Sequence, residues 1–283
     1  MSTATLPATD STTVSRGRHR RTRPPEQRFD AAAAGYERHA RVQHAVADHL
    51  LACITRQALP PAPRILEIGC GTGILTRKLA ARFTQADWTI TDLAPAMLEQ
   101  ARQALRLGDK ARFHIMDGEH PEPPAADRQF DLICSSMALQ WFSNPAQGMA
   151  RLADLLTPGG CLAVAVPIRG SWTEWRAAHR SLGLSSATIP FPAAARLRPP
   201  NDAFQSDMHM HRYIDECGSA LGFLRHLRGI GASAPRPGSR PLSVLQLRQV
   251  CAAFEQSGAR CSYRIAFSLW RRQGASPLTT RSP

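Results

Sequence analysis

At 283 residues, 43% of them hydrophobic, the chain is long enough for one sizeable core and short for two, and its seven cysteines, never in a Cys-x-x-Cys pair, indicate neither a disulfide framework nor a zinc-finger spacing. The net charge of +13 is uneven: +4 on residues 1–28, 0 on 29–63, +1 on 64–189 and +8 on 190–283, a distribution that suits an anionic partner. No apolar run approaches the roughly 20 residues of a membrane-spanning helix and none follows the N-terminal charges as a secretory signal would, so a cytoplasmic protein with no membrane contact is expected.

Residues 1–28 are rich in Ser, Thr, Pro and Arg without helical or strand period, and are expected to form a disordered basic arm. From Phe29 to Leu59 helix-favouring residues run to the stop at Pro60, Pro61 and Pro63, which predicts a long amphipathic helix with Gly35 as its weak point. Arg64 to Ile68 is a short apolar run ending in glycines, as a buried parallel strand would, and a helix should open after Gly73. The pattern then repeats: strand 88–91, helix 95–107, strand 112–116, strand 130–135, helix 145–156, strand 161–166. Thr157-Pro158-Gly159-Gly160 reads as the turn feeding that fifth strand. Residues 184–206 are Pro-rich and irregular, a loop or lid; strand 208–214, helices 217–228 and 243–256, and strand 261–270 follow, with 273–283 as a disordered tail. Alternation of this kind specifies one α/β domain over 29–272, a doubly wound, mostly parallel sheet with an N-terminal helix and a C-terminal helical lid insertion.

The loop Glu67-Ile68-Gly69-Cys70-Gly71-Thr72-Gly73 lies where a doubly wound sheet binds its ligand, at the carboxyl end of the first strand. Glycines there let backbone approach a ligand with no Cβ between. Asp92 ends the second strand about 20 residues on, where a ribose diol would lie, and Asp117-Gly118 ends the third, where an adenine amino group can be read. Carboxylates beside the loop repel a pyrophosphate but suit a cationic sulfonium, and the spaced third glycine of G-x-G-x-x-G is absent. The reading is therefore an S-adenosylmethionine site, with Glu67 ordering the methionyl amino group and Asp92 accepting from the ribose hydroxyls; the alternative for Asp92 is a helix-capping role.

Three segments, Ile65 to Gly73, Thr91 to Leu98 and Leu156 to Gly160, resemble the class I methyltransferase pattern. The resemblance implies cofactor contacts from Gly69, Gly71, Gly73, Asp92 and Asp117, with Met97 as an apolar lid on the adenine. A narrower resemblance, carried by Phe29 to Ala40 with Val42-Gln43, by Ser136 to Trp141, by Arg169-Gly170-Ser171 and above all by Phe223 to Ala232, is to the malonyl-acyl-carrier-protein O-methyltransferases of biotin synthesis. Ser136 stands where that family usually has Asn.

This resemblance implies methylation of the free carboxylate of a malonyl thioester on acyl carrier protein or coenzyme A. That carboxylate is ionised at neutral pH, so the transfer needs no general base and rests on approximation with water excluded. Candidates to orient it are Tyr36, Arg169 and Arg225, while Gln140 and Trp141, at the carboxyl end of the fourth strand, would face the transfer site. The +8 on residues 190–283 would meet an acidic carrier protein. The alternatives are a methyltransferase of the same fold acting on another small-molecule acceptor or on RNA, the latter disfavoured by an aromatic content of 6% with no stacking cluster among the arginines, and a non-catalytic assembly factor that retains the fold. His209 and His211 share one face of a strand, but no third ligand is evident, and no metal site is expected.

Overall fold

The computed structural model describes residues 24–124 and 129–274. Seven strands, β1 (Arg64–Ile68), β2 (Asp87–Asp92), β3 (Ala111–Ile115), β4 (Phe130–Ser136), β5 (Leu156–Pro167), β6 (Phe204–Glu216) and β7 (Arg260–Arg272), make one sheet in the order β3-β2-β1-β4-β5-β7-β6. All pairs are parallel except those of β7, which runs against both β5 and β6. The helices are α1 (Pro25–Ala32), α2 (Arg41–Ile54), α3 (Ile74–Arg82), α4 (Pro95–Ala104), α5 (Pro145–Asp154), α6 (Thr173–Arg180), α7 (Ala220–Gly229) and α8 (Val244–Gln256).

The central strands are apolar on both faces, and their period of two sends alternate side chains into two cores. Ile65, Cys161, Ala163, Ile265 and Phe267 pack with Leu50 and Ile54 of α2 and Leu79 of α3. Leu66, Ile68, Leu162, Val164 and Trp270 pack on the opposite face with Met149 and Leu152 of α5. The same alternation turns Glu67 away from Leu66 and Ile68. Strand order reverses between β2-β1 and β4-β5, so the carboxyl ends of β1 and β4 open a crevice at the switch point.

The expected long N-terminal helix is three pieces: α1, a 3-10 stretch Ala33–His39 that includes Gly35, and α2. The segment read as an arm is helical from Pro25, because Pro24-Pro25 places a proline at the first helical position, where its missing N–H is not needed. The remainder of that expected arm, 1–23, and residues 275–283 of the expected tail lie outside the described residues. Thr157 to Gly160 is not a separate turn. It is an irregularity inside β5, across which pairing with β4 jumps from Phe130↔Leu156 to Leu132↔Cys161. Helix α6, with Trp175 buried, was not anticipated, and β6 and β7 each extend to 13 residues.

Candidate active site

The glycine loop leaves β1 with Cys70 N–H donating to Thr91 O at 2.9 Å, tying it to β2. Gly69, Gly71 and Gly73 all have positive φ (65°, 56° and 83°). A Cβ on Gly69 would sit 2.4 Å from that of Ala138, whereas one on Gly71 would meet no protein atom within 4 Å and would project into open space. Asp92 fixes this geometry: Gly71 N–H donates to its Oδ2 and Ala94 N–H to its Oδ1, each at 2.8 Å. Burial raises the Asp92 carboxyl above its ordinary value, the two backbone donors opposing that shift.

A cavity opens over the loop, lined by Gly69, Gly71, Asp92, Leu93, Met97, Met116, Asp117, Gly118, Trp141 and Phe142, with Pro25, Glu26 and Phe29 of α1 across its mouth. Asp117 is held by Glu119 N–H and by His120 Nδ1, each at 2.9 Å, which aims it at the rim. A Cβ on Gly118 would lie 2.2 Å from Ile68 Cγ2, so glycine is needed for the chain to pass. Glu119, not singled out in the sequence, caps the chain entering α5, accepting from Ser143 and Asn144 N–H at 2.7 Å each. Helix α1 is fastened over the cavity by Asp30, whose Oδ1 accepts from Ala96 N–H at 2.8 Å in the first turn of α4.

Glu67 lies beneath the loop, 1% exposed, accepting from Thr76 Oγ1 at 2.6 Å. Burial, reinforced by Asp92, pushes its carboxyl up to about 8. It borders a second recess with Tyr36, Gln43, Thr72 and Ser136. The residues present fit S-adenosylmethionine: a carboxylate for a ribose, an apolar slot for a purine, and a buried carboxylate whose proton a cationic amino group would displace.

A third, much smaller and mainly apolar recess adjoins both, walled by Phe29, Tyr36, Trp141, Trp172, Ile189, Phe191, Ile230, Ala232 and Tyr263, with Gln43 and Gln140. Tyr36 borders all three spaces. Two buried carbonyl oxygens on this wall, Gln43 Oε1 and Gln140 Oε1, have no protein partner, and such atoms are costly unless a ligand or water satisfies them; the Trp172 N–H is turned to the Tyr263 hydroxyl. Beside the wall, Arg28 stacks its guanidinium 5.3 Å above the Trp141 ring and reaches Gly231 O at 3.4 Å, while its Nε is buried without a partner. Tyr263 is backed by a buried relay: its hydroxyl is 2.7 Å from His226 Nε2, and His226 Nδ1 is 3.6 Å from Asp215, which accepts from Arg41 at 2.8 Å.

Of the expected substrate residues, Tyr36, Gln140 and Trp141 therefore meet in one place. Arg169 and Arg225 do not join them. Both are exposed and neither lines any of the three spaces; α7 buries Phe223, His226 and Leu227, which turns Arg225 outward. Trp172 and Tyr263, which line the third space, were not singled out in the sequence, nor were Arg28 and His226, which line none of the three spaces but contact Trp141 and Tyr263. Their signals are contacts between residues far apart in sequence, and Arg28 was hidden in a segment whose composition resembles an arm.

The fold and the site together define a class I S-adenosylmethionine-dependent methyltransferase. Residues 65–160 match the methyltransferase domain family. The protein is 34% identical over 85% of its length to a malonyl-[acyl-carrier protein] O-methyltransferase from Magnetococcus marinus, covering 89% of that protein. It is 49% identical over 87% of its length to the biotin biosynthesis bifunctional protein BioCD of Bordetella avium, of which it spans 52%. The chain belongs to the malonyl-[acyl-carrier protein] O-methyltransferase family. Among solved structures it resembles the YcgJ protein from Bacillus subtilis (TM-score 0.55, 14% identity, 81% of this chain and 100% of that one). It also resembles the [4+2]-cyclase SpnF (TM-score 0.52, 18% identity, 82% and 81%). At those identities the likeness is one of fold, and a cyclase among the neighbours shows why the site must carry the functional argument.

Proposed function

We propose that the chain transfers a methyl group from S-adenosylmethionine to the free carboxylate of malonyl-acyl-carrier protein, giving the methyl ester used in the early steps of biotin synthesis. The observation that carries the reading is the mainly apolar acceptor recess, which adjoins the cofactor cavity at Tyr36 and has Arg28 Nε, buried without a partner, beside its Trp141 wall. Bound cofactor supplies an electrophilic methyl on a sulfonium. Asp92, already aimed by Gly71 and Ala94, would accept from the ribose hydroxyls; Glu67 would take the amino group; Met97, Phe142, Asp117 and Gly118 would hold the purine.

A malonyl carboxylate arrives ionised and needs no base, so the protein's part is orientation and exclusion of water. Arg28 is the cation we assign to that carboxylate. Its guanidinium is already engaged by Trp141 and Gly231, which limits how tightly it can pair and so preserves the nucleophile. Gln43 and Gln140 offer carbonyl oxygens for the amide N–H groups of a pantetheine arm. Ile189 and Phe191 from the 184–206 segment and Ile230 and Ala232 after α7 close the chamber against water. The acceptor is acidic where this chain is basic, and the seven unpaired cysteines fit a reducing compartment such as the cytoplasm.

Methyl transfer to malonyl-carrier protein, compared with acetyl-carrier protein that lacks the carboxylate, tests the proposal. Label is expected in the malonyl form alone. Equal labelling of both, or of neither, contradicts it.

A further inference from the structure

On the other side of α2 from Gln43 and Ala47, one turn apart, stand His49 and Cys53. Strand β6 brings His209 against them: the Nε2 atoms of His49 and His209 are 3.0 Å apart, and Cys53 Sγ is 3.9 Å from His209 Nε2. The three ligand atoms all lie within 4.8 Å of one another. His211, next on the same face of β6, has its ring 5.4 Å from that of His49. The sequence showed the β6 pair but not its partners, because the third and fourth donors come from a helix some 160 residues earlier.

We propose that His49, Cys53 and His209 form a binding site for a divalent transition metal of zinc type. Two imidazoles and a thiol are a borderline-soft donor set, suited to zinc and poorly suited to magnesium or calcium. Tetrahedral zinc with bonds of about 2.0–2.1 Å to nitrogen and 2.3 Å to sulfur sets neighbouring ligands roughly 3.3–3.6 Å apart, so the His49–His209 and Cys53–His209 pairs need to move by only tenths of an ångström, while His49 and Cys53, within 4.8 Å of each other, have further to close. The outer shell is also in place. His49 Nδ1 is 3.0 Å from Tyr213 Oη, the kind of contact that fixes the tautomer leaving Nε2 free to ligate. Phe267 stacks on both imidazoles, with centroids 4.1 Å and 5.1 Å away, and holds their planes. The histidines are half-buried and Cys53 is buried, so an ion can enter from solvent while the thiol is shielded. On binding, Cys53 forms a bond from sulfur to metal and its thiol proton passes to solvent; both imidazoles ligate as neutral bases. A water or His211 completes the four ligands. The site would clamp the end of α2 to β6, outside the cofactor and acceptor spaces.

The test uses the full chain, freed of metal with a chelator and titrated with cobalt, then with zinc. One cobalt per chain with a thiolate-to-cobalt charge-transfer band and tetrahedral visible absorption, displaced by zinc, is the expected result. Cys53→Ser should abolish the charge-transfer band, His209→Ala should weaken zinc binding by at least about 100-fold, and Tyr213→Phe by about 10-fold, while Cys251→Ser should change nothing. S-adenosylhomocysteine binding serves as the control that each variant is folded. Absence of a thiolate band in the wild type, or a band that survives both Cys53→Ser and His209→Ala, overturns the proposal.

Discussion

Asp92 is held by two backbone donors, and its bond to Ala94 N–H, two residues on, is a turn contact just ahead of α4, whose N-cap is Ala94 itself. Asp92→Ala should weaken S-adenosylhomocysteine binding about 100-fold, equivalent to two charge-assisted hydrogen bonds at roughly 1.5 kcal/mol each; unchanged affinity in calorimetric titration would remove it from the ribose. Glu67 makes a pH prediction. Its folded value of about 8 lies above the ordinary 4.5, so between those limits the folded chain holds a proton that the unfolded chain releases, and stability falls as pH rises through the window. A cationic amino group favours the ionised form, so cofactor binding expels that proton. Affinity for S-adenosylhomocysteine should rise between pH 6 and 8 by up to about tenfold per unit. Glu67→Gln should flatten the dependence; a persisting slope in that variant would place the proton elsewhere. These acids were legible in the sequence because strand, loop and carboxylate lie in a local pattern. Arg28 was not, since what brings it beside the candidate site is its contact with Trp141 and Gly231.

The segment Phe223 to Ala232 gains a physical meaning at the level of elements. A Cβ on Gly229 would fall 2.3 Å from the His39 ring, and one on Gly231, whose φ is +70°, would fall 2.7 Å from the Phe29 ring. These glycines are the seat on which the N-terminal helices rest. Phe29 in turn meets Trp141 edge-on at 5.3 Å. Gly231→Ala should therefore lift α1, with a backbone cost of about 1–2 kcal/mol, and reduce methyl transfer more than it lowers the melting temperature. Equal losses in Gly231→Ala and in the exposed Gly238→Ala, which meets no neighbour and shares a positive φ, would show that backbone strain alone is responsible. The strands of the sheet were legible as apolar runs between turns. Helix α1 was not, because it buries no residue of its own and is held by Asp30, Arg28 and Phe29 acting on distant partners. The outward phase of Arg225 was in fact readable, since Phe223, His226 and Leu227 mark the inner stripe at helical spacing.

For the molecule as a whole, charge and site divide: the nearly neutral central segment carries the candidate cofactor site, and the basic C-terminal part carries exposed arginines such as Arg225 and Arg228 on α7. Rim charges of this kind act through long-range attraction screened over roughly 10 Å at moderate salt. Reversing both (Arg225→Glu with Arg228→Glu) should raise KM for malonyl-carrier protein about tenfold at low salt, with kcat and cofactor affinity unchanged and little effect on malonyl-coenzyme A; no change in KM would move carrier docking to another face. No described helix is long and apolar enough to cross a membrane. That the three spaces meeting at Tyr36 form one site for carboxyl methylation is tested most directly by incubating the purified chain with methyl-labelled S-adenosylmethionine and malonyl-carrier protein and measuring base-labile label on the carrier. The wild type should produce one methyl ester per malonyl group, Asp92→Ala should lose activity through cofactor affinity, and Arg28→Ala should lose it through KM for the carrier with cofactor affinity retained. Base-stable label, or full transfer by the Arg28→Ala variant, would contradict the account.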